Sequence, residues 1–127
     1  MEKTKTFEDL LVWKCAHEFV LEVYKITETF PKNEVFGLTS QFRRAAVSVA
    51  ANIAEGYKKK GKADKLRFFN MSQGSLEESR YYLILAKDLN YYLPEVYTFL
   101  VEKLNQTSRY LNNYCQAIIE SQGSTFP

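Results

Sequence analysis

Residues 63–90, ADKLRFFNMSQGSLEESRYYLILAKDLN, decide the fold. A heptad runs through them with Phe69, Ser72, Leu76, Ser79, Leu83 and Ala86 at its a and d positions. Gly74-Ser75 followed by Glu78 has the form of a capping box, which would divide the stretch into two short helices. The seam nevertheless crosses Gly74 without changing phase, and this favours one helix over about 63–90. A single helix of that length is ~40 Å long at 1.5 Å per residue, so a neighbour joined by a short turn must fold back antiparallel to it.

Three more segments carry the same period. Upstream, Leu38, Phe42, Ala46, Val49 and Ile53 form an apolar stripe over about 39–59, with Thr39 or Ser40 as the expected N-cap after Gly37. The small residues Ala45, Ala46, Ser48, Ala50, Ala51 and Ala54 make this helix thin, and the Ser72, Ser79 and Ala86 seam is the expected place for its close approach. A first helix is predicted over about 7–29: Thr6 and Asp9 give a start signal, Phe7, Leu11, Cys15, Phe19, Tyr24 and Ile26 recur at helical spacings, and Phe30-Pro31 ends the run. Downstream, Pro94 suits a first helical position, and Leu100, Leu104, Leu111, Cys115 and Ile118 carry a fourth helix over about 94–120. The expectation is all-α: an antiparallel up-down-up-down four-helix bundle in one domain spanning residues 1–127.

Composition agrees. The chain has 127 residues with only 5 Gly and 3 Pro, too few punctuators for the tight turns of a β-sandwich or barrel. No apolar run approaches the ~18 residues needed to cross a bilayer, and MEKTKTFEDL lacks a signal-peptide core, so a cytoplasmic chain without membrane attachment is expected. In that compartment Cys15 and Cys115 read as small hydrophobes, and the sequons at Asn70 and Asn105 as chance. The first helix carries apolar side chains on more than one face (Leu10, Leu11, Val12, Trp13, Phe19, Val20, Leu21, Val23 and Tyr24), more than a monomer's stripe needs, although a wide core face has the same pattern. A homo-oligomer is expected.

Catalytic patterns are scarce. His17 is the lone histidine, which excludes paired-His zinc sites, a Glu-x-x-His di-iron set and a triad with a spare imidazole within one chain. Residues 56–62, GYKKKGK, lack the spacing and hydroxyl of a phosphate loop. Glu77-Glu78 and Glu8-Asp9 read as solvated faces and helix-start charges. Neither a cofactor nor an enzymatic activity is expected.

Charge is distributed unevenly. Residues 38–70 hold eight bases (Arg43, Arg44, Lys58, Lys59, Lys60, Lys62, Lys65 and Arg67) against Glu55 and Asp64, whereas the flanking stretches are both net acidic. Six of the eight lie between Lys58 and Arg67, at one end of the bundle, beside Tyr57, Phe68 and Phe69. Such a cluster attracts phosphates, and a neighbouring aromatic can stack an unpaired base. A solvated lysine-rich turn has the same composition. Arg44, Ser48, Asn52 and Glu55 share one face of the second helix, which suits either a polar network between helices or a ligand contact.

Residues 36–56, FGLTSQFRRAAVSVAANIAEG, together with FEDLLVWK at 7–14 and GSLEE at 74–78, resemble the small bacterial four-helix-bundle proteins encoded in intervening sequences of 23S rRNA genes, also called S23 ribosomal protein-like. Similar bundles are accessory proteins of diversity-generating retroelements. The resemblance implies a homopentamer that handles RNA or DNA and meets a reverse transcriptase. The reading taken forward is a non-enzymatic nucleic-acid-binding or accessory protein acting through a basic patch on a ring-shaped homo-oligomer, with an oligomeric protein-interaction scaffold as the alternative.

Overall fold

The computed structural model describes residues 4–121. Four helices, α1 (Leu11–Thr27), α2 (Leu38–Lys58), α3 (Lys62–Asp88) and α4 (Pro94–Glu120), follow one another, with 3-10 turns at Phe7–Asp9 and Lys32–Glu34 and no strand among the described residues. Each helix packs on the next and α4 returns to α1, with the most extensive contact between α2 and α3. This closed antiparallel ring is the expected four-helix bundle. None of these helices is long and apolar enough to cross a membrane.

The α3 seam is as the heptad predicts: Phe69, Ser72, Leu76, Ser79, Leu83 and Ala86 are all buried, and Gly74 lies within one continuous helix. On α2 the whole predicted stripe from Leu38 to Ile53 is buried as well. Close approach of the two helices is visible in two places. The Ser72 hydroxyl donates to the Val49 carbonyl oxygen at 2.8 Å. A Cβ added at Gly56 would lie 2.6 Å from the fully buried Phe69 ring, so only glycine fits there. Ser79 Oγ is buried without a hydrogen-bond partner among the described residues, which leaves its small volume as its contribution.

α1 departs from its sequence reading in length and phase. The Thr6–Asp9 capping box forms, but it caps the single 3-10 turn at Phe7–Asp9. Extended backbone at Leu10 (φ −77°, ψ 128°) separates that turn from α1. The helix stops at Thr27 rather than near residue 29, because Thr29 and Phe30 N–H groups turn to i−3 carbonyls ahead of Pro31. Its core face is Val12, Cys15, Ala16, Phe19, Val20, Val23 and Thr27, whereas Leu11 and Tyr24, expected inside, are 56% and 41% exposed. Cys15 and Phe19 belong to both phases. α1 contacts both α2 and α4, so the wide apolar surface admitted either reading.

The α2 cap also differs. Neither Thr39 nor Ser40 is the N-cap; Gly37 is, and the Glu34 carboxylate reaches forward to accept the Leu38 N–H at 3.0 Å. Its other oxygen accepts from the Tyr91 hydroxyl at 2.6 Å, tying the α1–α2 turn to the α3–α4 turn. The latter turn is closed by Asn90 in the left-handed region (φ 61°), with the Tyr91 N–H returning to the Ala86 carbonyl. α4 begins at Pro94 and has Leu100, Leu104, Leu111 and Ile118 in the core, with Cys115 half-buried.

Candidate nucleic-acid interface

The end of α2, the turn after it and the start of α3 bring Lys58, Lys59, Lys60, Lys62, Lys65 and Arg67 to one end of the bundle, but they divide into three kinds. Lys58, Lys60 and Arg67 are exposed. Lys59 and Arg67 both lie over the Phe68 ring, at 5.0 and 4.9 Å from its centroid, and each also has a surface acid partner: Glu55 at 3.9 Å for Lys59, Asp64 at 3.4 Å for Arg67. Such exposed pairs contribute ~0–1 kcal/mol and release readily to a polyanion.

Lys62 and Lys65 serve the fold. Lys62 Nζ donates to the Ser121 carbonyl at the end of α4. Lys65 is 1% exposed; its Nζ donates to the Tyr57 carbonyl at 2.7 Å and approaches the Gly56 carbonyl at 3.4 Å. Both carbonyls belong to the last turn of α2, where the macrodipole favours a cation; the Gly56 carbonyl also accepts the Lys59 N–H at 3.2 Å, so the ammonium chiefly serves the Tyr57 carbonyl. Burial pushes the Lys65 ammonium pKa down from its ordinary value. This corrects the expectation that Lys65 faces phosphate, since sequence periodicity cannot distinguish a lysine that caps a neighbouring helix from one that is solvated.

The aromatic neighbours divide in the same way. Phe69 is a core residue, edge-on to Tyr114 at 5.4 Å. Tyr57 is half-buried, with its hydroxyl donating to Thr4 Oγ1 at 3.1 Å and Lys65 above its ring. Phe68 is half-exposed among the surface cations.

Arg43 and Arg44 lie toward the other end of α2, ~21 Å from Lys58 along the helix for the fourteen residue steps from Arg44 to Lys58. The structure does not bring them to the lysine cluster. Arg43 is a cap for α1: its Nε donates to Thr27 Oγ1 at 2.7 Å, a terminal nitrogen to the Tyr24 carbonyl at 3.2 Å, and its guanidinium covers the Tyr24 ring at 4.5 Å. Arg44 is exposed. The shared polar face of α2 resolves into a network of Ser48, Asn52 and Ser75, in which Asn52 donates to the Ser48 carbonyl and hydroxyl and Ser75 donates to Ser48. Arg44 and Glu55 lie outside it.

Two surface features escaped the sequence reading. A groove of about 700 Å³ between the end of α1 and the start of α2 is bordered by Tyr24, Val35, Arg44 and Val47. A shallower, largely apolar one of about 250 Å³ continues past Val47 to Trp13 and Ala54. At the α1–α2 turn, Phe36 is 96% exposed. The only sequence cue was a phenylalanine beside a glycine in a turn, which is equally compatible with a buried anchor.

Among the described residues no group of three His, Cys, Asp or Glu could hold a metal ion. Trp13 stacks on His17 with ring centroids 4.9 Å apart, giving that histidine a packing role.

Residues 8–113 match the family model of the 23S rRNA-intervening sequence protein. A solved structure of a protein of unknown function from the S23 ribosomal protein family of Bacteroides thetaiotaomicron VPI-5482 has the same fold, with a TM-score of 0.75 at 22% identity, covering 84% of this chain and 99% of that one. No curated protein matches the chain.

Proposed function

Because the chain belongs to the 23S rRNA-intervening sequence protein family, we propose that it is a non-enzymatic accessory protein that binds RNA or DNA through the exposed cations at the α2–α3 end, as a ring-shaped homo-oligomer. The observation that carries the reading is the grouping of Lys58, Lys59, Lys60 and Arg67 at one end of the bundle, with weak surface partners at most, while the neighbouring Lys62 and Lys65 are committed to helix ends. Contacts of this kind neutralise phosphates and select charge and shape over sequence.

Assembly multiplies the field. Phe36 exposes nearly its whole side chain, and the apolar groove along α1 and α2 is a complementary surface on the same chain. A knob and a hole at different places on one protomer suit a head-to-tail contact, the kind that closes into a ring when the rotation from one protomer to the next closes. A pentamer, and a reverse transcriptase as protein partner, are proposed on the family resemblance. Phe36 and the groove would equally serve a protein-interaction scaffold without nucleic acid.

Fluorescence anisotropy with labelled single- and double-stranded RNA and DNA at low salt separates the two. Binding by the wild type, weakened when Lys58, Lys59 and Lys60 are replaced by Gln, supports the nucleic-acid reading. Absence of binding to all four probes overturns it and leaves the scaffold.

A further inference from the structure

Among the described residues, the basic end contains one aromatic ring that the fold does not use up. Phe69 is wholly inside and Tyr57 is covered by Lys65 and tethered to Thr4, whereas Phe68 is half-exposed, with Lys59 and Arg67 held against its ring. Its position is fixed from below. A Cβ at Gly56 would come within 3.1 Å of Phe68 Cβ, so the root of this side chain is seated on the backbone of α2.

We propose that Phe68, together with Lys59 and Arg67, forms a stacking platform for an unpaired nucleobase, so that the basic end takes single strands in preference to duplex. The inference rests on the nucleic-acid reading above and names the form of nucleic acid. In a duplex the base faces are already stacked and only phosphates and groove edges are presented, to which a phenyl ring offers nothing. An unpaired base has a free π-face, and both a phenyl ring and a planar guanidinium accept it. Arg67, over the Phe68 ring at 4.9 Å, brings a planar guanidinium to the same place as a second group on which a base can stack, and its exposed pairing with Asp64 costs little to give up. Lys58 and Lys60, exposed on the adjoining turn, are placed for the phosphates flanking that base. RNA and DNA share this chemistry.

The test uses the full chain and four labelled probes of equal phosphate number at one salt concentration: oligo-dT, oligo-rU, an abasic DNA strand and a DNA duplex. Wild type should bind both base-bearing single strands more tightly than the abasic strand or the duplex. Phe68→Leu, which keeps the Cβ contact and removes the ring, should lose about 5- to 150-fold on the single strands and leave the other two probes unchanged. Phe68→Trp should retain the preference. Should Phe68→Leu fail to fold, the comparison of oligo-dT with the abasic strand on wild type decides. A preference for oligo-rU over oligo-dT, or the reverse, within a shared preference over the abasic strand, supports the platform and identifies its source. Equal affinity for base-bearing and abasic strands, or unchanged single-strand binding by a folded Phe68→Leu, overturns the platform while leaving the charge-based interface standing. No binding to any probe overturns both.

Discussion

The ammonium of Lys65 lies 2.7 Å from the carbonyl oxygen of Tyr57, so a residue from the first turn of α3 terminates α2. The same device recurs at the other end of the bundle, where Arg43 of α2 bonds Thr27 Oγ1 and the Tyr24 carbonyl at the end of α1. With Lys62 at the end of α4, three of the eight bases in the positive segment thus hold helix ends, and the basic end is a surface built on its own buried cation.

Lys65→Met should destabilise the protein by about 1–3 kcal/mol, because it leaves the half-buried Tyr57 carbonyl at the end of α2 without its donor. Arg43→Ala should lower the thermal midpoint through loss of the α1 cap. Helicity followed on heating checks both. For the molecules that remain folded, neither change should alter the salt dependence of nucleic-acid binding, in contrast to substitutions at Lys58–Lys60. An unchanged midpoint for Lys65→Met would contradict the capping role.

The α2–α3 contact should not accept bulk. Gly56→Ala places a methyl 2.6 Å from the fully buried Phe69 ring, and Ala46→Leu inserts three carbons at a fully buried position. Each should cost ~1–3 kcal/mol, overriding the helix propensity that alone would favour alanine at position 56. Ser79→Ala should be neutral or stabilising, since it removes a buried hydroxyl without a partner. Urea unfolding of the three variants tests the argument, and wild-type stability in both enlarged variants would refute close packing.

The α2 stripe and α3 seam were legible because one face of each helix meets the core, so their 3.6-residue period survives intact from Leu38 to Ile53 and from Phe69 to Ala86. α1 was less so, because a helix apolar over several faces fits more than one phase and the buried set cannot be chosen from spacing. Clustering of the lysines followed from the short α2–α3 turn. Their individual roles did not, since a donor's partner across that turn is a tertiary fact. The Glu34 cap escaped for the same reason: a carboxylate three residues before Gly37 does not fit the local capping pattern.

Acid should weaken the tie between the two turns at the far end. The Tyr91 hydroxyl and the Leu38 N–H stabilise the ionised Glu34 carboxylate and hold its pKa below the ordinary 4.5. The folded state therefore takes up its proton later than the unfolded state. Glu34's contribution is fully present above 4.5 and is lost as pH falls through the lowered value. Glu34→Gln should melt below wild type at pH 7, with the gap closing as pH falls below 4. At the alkaline limb the sign reverses: Tyr114, pushed up to about 12 chiefly by burial, contributes stability that is present below 10 and lost as pH rises toward 12. Thermal midpoints across pH check both limbs, and a gap for Glu34→Gln that stays constant with pH would contradict the assignment.

Self-association should depend on Phe36, the most exposed large hydrophobic side chain described. Phe36→Ser should shift light-scattering mass toward the monomer, with the dissociation midpoint raised ~30-fold or more if the ring fills a pocket on its neighbour. The fold should be unaffected, because the side chain buries nothing within its own protomer. A wild type that is monodisperse and monomeric at micromolar concentration would contradict the ring.

The most direct test of the charge-based interface is the salt dependence of binding to a single strand, measured for wild type and for the variant carrying Gln at positions 58, 59 and 60. If these lysines neutralise phosphates, log affinity falls linearly with log salt, and the variant's slope is shallower by up to about 2, at roughly 0.7 for each single-strand phosphate that is no longer neutralised. Affinity for every sequence falls alike. An unchanged slope and affinity in the triple variant would contradict the account and leave Lys58, Lys59 and Lys60 as a solvated turn.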